Sequence, residues 1–283
     1  MAAAYKTIEV APLAGACGAE IFGVDLSRPL GNETFAEIHR AFLEHLVVFF
    51  RDQTLTPDQL LAFARRFGPL DPHHVLKGMA GHPEILEIVR EPTDRKIFAP
   101  GWHADVTWQE RPVLGAALYG LEVPTVGGDT LVANQYLAYE ALSPGLRRTL
   151  DGMKAVHGSA KVYGEKADDY TYVDKLATDR KTAASHENVH PVVRTHPETG
   201  RKALFLNDHY VLRFEGMTVE ESMPLLDYLW RHAIRPEFTC RFRWRNNSLA
   251  LWDNRCLLHG PIDDYFGQRR RLWRVTIGGD RPV

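Results

Sequence analysis

The stretch FTCRFRW, residues 238–244, alternates large apolar side chains with polar ones. Side chains at i and i+2 lie on one face of a strand, so this pattern predicts a half-buried antiparallel strand. The segments SLALWDN (248–254) and RLWRVTIGG (271–279) are also typical of strands, and THPETGRKALFLN (195–207) predicts a turn that feeds another. Helices do not alternate regularly with these strands, so the order favours a jelly roll with helices packed outside it over a doubly wound parallel sheet.

Signals for helix starts are clear but few. The segment 56–59, TPDQ, is a capping box with proline at the first helical position. Comparable signals predict helices that start near Asn32, at Ser143–Pro144 and at Thr218–Glu221. The run LVVFF (46–50), directly after the first of these, is typical of a buried strand.

The chain has 283 residues, of which 45% are hydrophobic, and it contains no repeat or linker that would divide it. We therefore expect a single domain over residues 1–283. The segment 157–190 is polar and weakly periodic, and it carries Tyr163, Tyr170 and Tyr172. It is either a surface excursion or a lid over a ligand site, because long irregular loops in compact domains are often functional.

Charge and cysteine content restrict the partners and the compartment. A formal net charge of -2 provides no basic field for nucleic acid or for an anionic membrane surface. The 3 cysteines are widely spaced and form no C-x-x-C pattern, which argues against a disulfide framework or a thiolate zinc site. With no secretory signal and no apolar run long enough to span a bilayer, we expect a soluble cytoplasmic protein.

The stretch GWHADVTWQE, residues 101–110, also reads as a strand, and it carries a histidine and an aspartate two positions apart. On a strand, His103 and Asp105 would point to the same side and could supply two ligands to a metal ion. His259, which follows a buried-looking strand near the C-terminus, is the candidate third ligand. Two histidines and one carboxylate suit non-haem Fe(II) oxygenases, and zinc accepts the same donors. A histidine that merely bonds a nearby aspartate is the simpler interpretation of the H-x-D pair alone.

Two arginines on the last predicted strand share one face. Arg270 and Arg274 have the same parity, so both can point inward, whereas Arg269 and Arg271 fit a solvated cluster. A buried guanidinium without a partner is costly, and Arg274 lies in an otherwise apolar run. Two inward cations suggest two separate anions as ligands.

Five segments together carry a family resemblance: PLAGACGAEIFGVDL (12–26), GWHADVTW (101–108), EVPTVGGDTLVAN (122–134), HPVVRTHPETGRKALFLN (190–207) and WDNRCLLHGPIDDYFGQRRRLWRVTIGGDRP (252–282). As a set they resemble the taurine dioxygenase (TauD/TfdA-like) family of Fe(II)- and 2-oxoglutarate-dependent oxygenases. The resemblance covers nearly the whole chain, in order. It implies a double-stranded β-helix (a cupin-like jelly roll) with flanking helices, in agreement with the strand pattern.

The resemblance implies a role for particular residues. The metal triad of the family falls on His103, Asp105 and His259. The residues that bind the distal carboxylate of 2-oxoglutarate in the family correspond to Thr130 and Arg270. Arg274 matches the residue that binds the acidic group of the primary substrate. A guanidinium fork suits carboxylate and sulfonate groups because it can donate two parallel hydrogen bonds.

The chemistry implied by the resemblance needs Fe(II), O2 and 2-oxoglutarate as cosubstrate. A substrate C–H bond is hydroxylated while 2-oxoglutarate yields succinate and CO2, and hydroxylation beside a heteroatom gives a product that fragments. Asp105 predicts oxygen transfer, because halogenating relatives replace this carboxylate. Family members are commonly homo-oligomers, so a homo-oligomer is expected here.

The expected substrate is a small organic acid, either an alkyl sulfonate or sulfate or an aryloxyalkanoate carboxylate. In the sulfonate-oxidising branch a histidine ahead of the H-x-D pair contacts the anion, which places His73 there, with His74 beside it. Both could instead be surface residues. The stretches EFTCRFRW (237–244) and VHGSAKVYG (156–164) resemble the aryloxyalkanoate branch more closely. Phe98 and Tyr163 could form an aromatic wall, although core packing is the commoner fate of such residues.

Two hypotheses from other classes stay open at this point. A zinc hydrolase could use His103, Asp105 and His259 with an activated water, but it gives no role to Thr130 or to the two inward arginines. A cupin-like module could bind a small acid without turning it over. The retention of all three ligands argues against that second hypothesis.

Overall fold

The core of the computed structural model, which describes residues 4–164 and 185–283, is a pair of facing β-sheets. From edge to edge, the larger sheet contains β1 (Glu9–Pro12), β2 (Ala19–Phe22), β3 (Val47–Phe50), β13 (Leu249–Asp253), β5 (Gly115–Glu122), β15 (Arg270–Ile277) and β4 (Ile85–Arg90). Its pairings are antiparallel except that of β2 with β3. The smaller sheet contains β12 (Thr239–Phe242), β6 (Thr130–Asn134) and β14 (Leu257–Pro261).

Aromatic side chains fill the space between the two sheets. Phe49 on β3 and Phe242 on β12 stack with ring centroids 3.8 Å apart and nearly parallel planes. Leu118, Val132 and Trp252 belong to the same buried cluster. Burial of two large rings against each other contributes to the free energy of folding. The two sheets thus enclose one apolar interior, which opens at the end that carries the candidate site.

The opposite face of the larger sheet is covered by helices. Alternate residues of β3 belong to different clusters, because Phe49 faces the interior between the sheets and Phe50 packs with Phe42 of α1 (Asn32–His45) and Leu60 of α2 (Pro57–Arg65). All four residues of β3 are buried. This burial on both faces explains why the strand reads as a continuous apolar run.

The remaining elements surround the smaller sheet. They are α3 (Gln135–Glu140), α4 (Pro144–Leu150), β7 (Lys154–Gly158), α5 (Ala160–Tyr163), β8 (Glu187–Pro191), β9 (Val193–Thr195), β10 (Lys202–Leu204), β11 (Val211–Phe214) and α6 (Val219–Ala233), followed by a 3-10 turn at Pro236–Phe238. β7 pairs with both β8 and β11, and β9 pairs with β10. None of the helices in the described residues is long and apolar enough to cross a membrane.

The predicted fold class, mainly β with flanking helices around a jelly-roll core, is confirmed. The predicted caps form at Thr56, Ser143 and Thr218, with complete capping boxes at the first and last. The first helix starts one residue away from its predicted cap, since Gly31 is the cap residue and Asn32 is already helical. Strand β12 shows the predicted alternation, because Cys240 and Phe242 are buried and Arg241 is exposed.

The predicted strand over residues 101–110 is wrong. Only His103 forms a β-bridge, and from Asp105 the chain folds into turns. Val106 has a φ of 43°, a left-handed conformation that is unfavourable for a β-branched residue and incompatible with a strand. Because the sequence alternates polar and apolar residues here, its period resembles that of a strand although the backbone bends.

The segment 157–190 is irregular only in part. Its first residues end β7 and its last residues belong to β8, and Ala160–Tyr163 forms a short helix. Residues 165–184, with Tyr170 and Tyr172, lie outside the described residues. A lid over the site stays a prediction.

Candidate active site

Two histidines distant in sequence are placed side by side by the backbone. The N–H of His103 donates to the carbonyl of His259, and the N–H of His259 donates back to the carbonyl of His103, both at 2.8 Å. His259 lies on β14, in the smaller sheet, and pairs there with Val132 of β6. The two imidazole rings have centroids 4.3 Å apart. The isolated bridge thus fixes both rings at the open end of the jelly roll.

Asp105 directs a carboxylate oxygen between these rings. Its Oδ1 lies 3.6 Å from Nε2 of His103 and 3.7 Å from Nε2 of His259. One donor atom from each of the three residues lies within 4.8 Å of the others, and all three residues are buried. Ligands that are each about 2.1 Å from a metal ion lie roughly 3–4 Å apart, so these separations fit a shared ion better than direct hydrogen bonds.

Burial disfavours the charged form of both histidines. Burial, with a further contribution from the nearby His259, keeps the pKa of His103 well below its ordinary value. Burial also lowers the pKa of His259 to about 4, against the opposing effect of Asp105. Nδ1 of His103 lies 3.2 Å from the carbonyl of Gly101, to which it donates, and this leaves the lone pair on Nε2. Neutral imidazoles and a carboxylate are what a divalent metal ion requires.

The donor set fits Fe(II). Two histidines and one carboxylate on one face of an ion leave coordination positions open for other molecules, as non-haem Fe(II) oxygenases require. The three donors are buried and lie close together. Among the described residues, the cation in contact with them is Arg274, which reaches the other carboxylate oxygen of Asp105. Iron(II) at this position would therefore be held by His103, Asp105 and His259.

A second group of potential ligands, His196, Asp253 and Cys256, does not fit a metal ion. Arg255 donates to both carboxylate oxygens of Asp253, at 2.8 and 2.7 Å, and His196 donates to the same carboxylate at 3.0 Å. Burial raises the pKa of the Cys256 thiol well above its ordinary value, so the thiolate that a metal would need is disfavoured. This buried group is an ion-pair network that stabilises the turn between β13 and β14.

Arg270 and Thr130 line the same cavity as His103 and His259. Arg270 is 7% exposed, and its Nε and Nη2 have no hydrogen-bond partner among the described residues. Thr130 accepts a hydrogen bond from Nε1 of Trp244 at 3.0 Å, so its own hydroxyl proton is available to a ligand. A buried guanidinium without an anion is unfavourable, and a ligand carboxylate would compensate it.

Arg274 is as buried as Arg270, lines both this cavity and a smaller one with Asp105, and reaches the triad itself. Its Nη2 lies 2.8 Å from Oδ2 of Asp105, although the N–H direction does not meet hydrogen-bond geometry. Nε of Arg274 also has no hydrogen-bond partner among the described residues. The parity prediction for the two arginines is therefore confirmed, since β15 turns Arg270 and Arg274 inward. Arg269 and Arg271 instead pair with surface glutamates.

His73 and His74 are separated by the structure. His73 lines a small cavity with Arg274 and Asp105, whereas the side chain of His74 is 60% exposed and pairs with Asp71. Nδ1 of His73 accepts the backbone N–H groups of Val75 and Leu76, both at 3.1 Å. The ring proton is therefore on Nε2. Burial is the main reason that the pKa of His73 falls to about 3, so this imidazole is a neutral donor.

The wall of this small cavity is largely aromatic. Phe98, Tyr163 and Tyr210 line it together with Val106 and Val162. The hydroxyl of Tyr163 lies 3.4 Å from Nε2 of His73. An apolar wall beside a guanidinium and an imidazole N–H suits an organic anion with an apolar chain.

Two residues near the triad were missed in the sequence. Asn254 bonds the backbone of Asp105, and His209 lies against His103 with ring centroids 4.8 Å apart. Nε2 of His209 is buried with no hydrogen-bond partner among the described residues. For Asn254, the signal in the sequence was an asparagine directly after a buried strand, in WDN (252–254). For His209, nothing in NDHY (207–210) distinguishes the histidine from an ordinary loop residue.

Comparison with known proteins gives a family match over most of the chain. The sequence profile of the family described as "Taurine catabolism dioxygenase TauD, TfdA family" matches residues 9–276. The chain is 38% identical over 279 residues to an alpha-ketoglutarate-dependent sulfate ester dioxygenase of Pseudomonas putida, covering 98% of this chain and 91% of the relative. It is 36% identical to an alkylsulfatase of Acinetobacter baylyi, with coverage of 97% and 86%.

A solved structure agrees with these relatives. The crystal structure of a taurine dioxygenase from Burkholderia xenovorans superposes with a TM-score of 0.83 at 39% sequence identity. The superposition covers 98% of this chain and 93% of the other. Fold and sequence thus match over most of both proteins.

Proposed function

The chain belongs to the TauD, TfdA family of alpha-ketoglutarate (2-oxoglutarate)-dependent dioxygenases, and from this premise we propose that it hydroxylates an alkyl sulfate ester. Its cofactor is Fe(II), and its cosubstrates are 2-oxoglutarate and O2. Hydroxylation of the carbon that bears the sulfate oxygen gives a hemiacetal-like ester, which fragments to an aldehyde and inorganic sulfate. Succinate and CO2 are the products of 2-oxoglutarate.

The observation that carries this proposal is the pair of buried arginines that point inward beside the triad. Both line the cavity that contains His103 and His259, and Arg274 also lines a smaller cavity that contains His103 and Asp105. A reaction between two anionic molecules at one centre needs two separate cationic sites. A hydrolase of one ester would need only one, so the zinc hydrolase hypothesis leaves Arg270 unexplained.

The metal site is assigned to His103, Asp105 and His259. Iron(II) held there would activate O2, which oxidises 2-oxoglutarate to succinate and CO2 and the substrate C–H bond to C–OH. The protein's own contribution is orientation: the bridge between His103 and His259 fixes both rings, and Oδ1 of Asp105 lies between them. Burial also excludes water, which strengthens the electrostatic interactions among these groups.

The 2-oxoglutarate site is assigned to Arg270 and Thr130. The guanidinium would take the distal carboxylate in a bidentate manner, and the Thr130 hydroxyl would donate a third hydrogen bond. Trp244 holds Thr130 in place through its indole N–H, and its ring lies 5.7 Å from Cζ of Arg270. The cosubstrate is thereby positioned with its keto acid end near the triad.

The primary substrate site is assigned to Arg274 and His73. A sulfate ester carries one negative charge spread over three oxygens, which suits a guanidinium and a neutral N–H donor together. Phe98, Val106 and Tyr210 would contact the alkyl chain. Asp105 occupies the position that a halide would need, so oxygen transfer is expected and halogenation is not.

An aryloxyalkanoate carboxylate is the second candidate substrate. The aromatic wall of Phe98, Tyr163 and Tyr210 would also accept an aryl ring. Sulfate esters are favoured because the two relatives described above are named for them. A carboxylate has two oxygens instead of three, so it would make fewer contacts with Arg274 and His73 together.

We further infer a single dioxygenase domain over residues 1–283, in a cytoplasmic homo-oligomer. One sheet joins strands from both ends of the chain, from β1 to β15. Cys17, Cys240 and Cys256 are free and buried, which suits a reducing compartment. Light scattering of the purified protein would test the oligomer. The charge of -2 supports no nucleic acid partner and no membrane partner.

The test is succinate formation by the purified protein with Fe(II), ascorbate, O2 and 2-oxoglutarate. The panel contains a linear alkyl sulfate, the alkyl sulfonate of equal length, taurine and both enantiomers of an aryloxypropanoate. We expect the alkyl sulfate to give the largest stimulation, with one inorganic sulfate released per succinate. If only the aryloxypropanoates stimulate succinate formation, the substrate is an aryloxyalkanoate carboxylate and not a sulfate ester. No stimulation by any member would contradict both.

A further inference from the structure

We propose that Asn254 is a positioning residue whose side-chain amide holds Asp105 in place as a metal ligand. This inference rests on the assignment of Asp105 to the metal site. Asn254 lies in the turn between β13 and β14, directly after Asp253. It is 1% exposed, and its side chain bonds the backbone of Asp105 on both sides of the residue.

The geometry of this contact resembles one step of a β-ladder. Oδ1 of Asn254 accepts the N–H of Asp105 at 2.6 Å, and Nδ2 donates to the carbonyl of Asp105 at 3.1 Å. Nδ2 also donates to the carbonyl of Val113 at 3.3 Å. A primary amide is the side-chain group that offers an acceptor and a donor side by side, as a peptide unit does. Asn254 therefore supplies Asp105 with the pairing that a neighbouring strand would have given.

Asp105 needs this support because the backbone leaves the β-bridge just before it. The bridge ends at His103, and Val106 is forced into a left-handed conformation at φ 43°. Between these two points the only side chain that bonds both backbone groups of Asp105, within the described part of the chain, is that of Asn254. Without it, the turn that aims Oδ1 at the two imidazoles would lose its anchor.

Asn254 is itself held rigidly. Its own N–H donates to the carbonyl of Leu114 at 2.9 Å. The preceding residue, Asp253, donates its N–H to the carbonyl of Leu46. Its carboxylate accepts hydrogen bonds from Arg255 and His196. A positioning residue is effective only when its own orientation is fixed by packing and hydrogen bonds. The ion-pair network around Asp253 therefore also helps to hold Asn254 in place beside Asp105.

The same turn also leads into the third ligand. Residues 257–261 form β14, and His259 on this strand bridges His103. The short connection from 253 to 259 therefore places one metal ligand directly and a second one through Asn254. We infer that the separation between Asp105 and His259 is set by this connection, and that Asn254 contributes to metal affinity without touching the metal.

The test is Mn(II) affinity, measured by the EPR signal of free Mn(II) at a temperature well below unfolding of every variant. For Asn254→Ala we expect the Kd for Mn(II) to rise about 10- to 100-fold, the usual effect of losing a group that orients a ligand. Asn134→Ala is the matched control, because Asn134 is 3% exposed and also makes three hydrogen bonds, to Tyr136, Leu137 and Ala16. None of these bonds is made to His103, Asp105 or His259. The Kd of Asn134→Ala for Mn(II) should therefore change less than threefold, even if its Tm falls as far as that of Asn254→Ala.

An Mn(II) Kd for Asn254→Ala within twofold of the wild type would overturn the proposal, as would an equal rise in the Asn134→Ala control. If Asn254→Ala does not fold, Asn254→Ser decides by the same criterion, because a hydroxyl is too short to reach both backbone groups of Asp105. Failure of the metal assignment would look different. In that case the wild type would not bind Mn(II), or Asp105→Ala would leave its Kd unchanged.

Discussion

Arg274 contacts the carboxylate of Asp105 on the side opposite to the two histidines, with Nη2 2.8 Å from Oδ2. Oδ1 of the same carboxylate is the atom that lies between His103 and His259. The two oxygens are thereby distinguished: one is directed to the metal position and the other to a cation. Because Arg274 is also assigned to the substrate anion, the metal site and the substrate site share one guanidinium.

This sharing gives a prediction for Arg274→Gln. The KM for an alkyl sulfate should rise about 10- to 100-fold, since a hydrogen bond to a charged group contributes about 1.5–3 kcal/mol. The Fe(II) requirement should rise as well, provided that loss of the contact that orients the Asp105 carboxylate outweighs the removal of a positive charge beside the metal. Arg271→Gln is the control, as this neighbour pairs with Glu87 on the surface. Steady-state kinetics with each ligand varied in turn would measure both effects. A substrate KM within threefold of wild type would remove Arg274 from the substrate site.

Arg270→Gln should act on the other organic ligand. We expect the KM for 2-oxoglutarate to rise about 10- to 100-fold, while the KM for the primary substrate changes little, because of the two arginines only Arg274 lines the smaller cavity with His73. Arg269→Gln is the control, because Arg269 pairs with Glu91 and Glu122 at the surface. The division between the two arginines would be wrong if both variants affected only the primary substrate.

His73→Ala should weaken binding of the primary substrate, and His74→Ala should not. Loss of the Nε2–H donor is expected to raise the KM of the alkyl sulfate about 10-fold. The pKa of His73 is about 3, mainly through burial, so its imidazole is neutral throughout the assay range. The ratio of variant to wild-type KM should therefore be the same at pH 6 and pH 8. A ratio that grows towards pH 6 would mean that His73 binds the anion as an imidazolium.

Asp253→Asn should destabilise the fold in a pH-dependent way. Burial alone would raise the pKa of Asp253, but Arg255 and the hydrogen bond from His196 outweigh it and hold the pKa below its ordinary value. This stabilisation is complete above the unfolded pKa of about 4, and it is lost as the pH falls through the lower folded pKa. We expect a loss of about 3–5 kcal/mol at pH 7, because the buried Arg255 loses its buried partner and keeps only the partly exposed Glu198.

Urea unfolding at pH 7, 5 and 3.5 measures this effect. The difference between wild type and Asp253→Asn should narrow at the lowest pH, where the wild-type carboxylate begins to lose its advantage. Asp151→Asn is the control, since its pair with Lys202 is exposed and should contribute less than about 1 kcal/mol. A difference that is constant from pH 7 to pH 3.5 would contradict an ionised Asp253 in the folded state.

The sequence predicted the fold class and the inward arginines for sound physical reasons. Parity along a strand depends only on the backbone, so once β15 was recognised the burial of Arg270 and Arg274 followed. The capping boxes at Thr56 and Thr218 are equally local, since each is completed by a residue three positions along. Local rules were reliable wherever the structure was set by near neighbours in sequence.

The surroundings of Asp105 could not be predicted in the same way. His103 and Asp105 do converge, as expected, but a turn held by Asn254 brings them together instead of a strand. Asn254 is 149 residues away in sequence. The choice between His73 and His74 also depended on tertiary structure, because His73 lines a cavity with Arg274 whereas His74 is exposed and pairs with Asp71.

The central claim is that His103, Asp105 and His259 hold the iron at which 2-oxoglutarate is consumed. The most direct measurement is Fe(II)-dependent formation of succinate by wild type and by His259→Ala, with circular dichroism to establish that the variant is folded. A folded His259→Ala protein is expected to form no succinate above background at any Fe(II) concentration. Near-normal succinate formation by the folded variant would exclude His259 from the metal site.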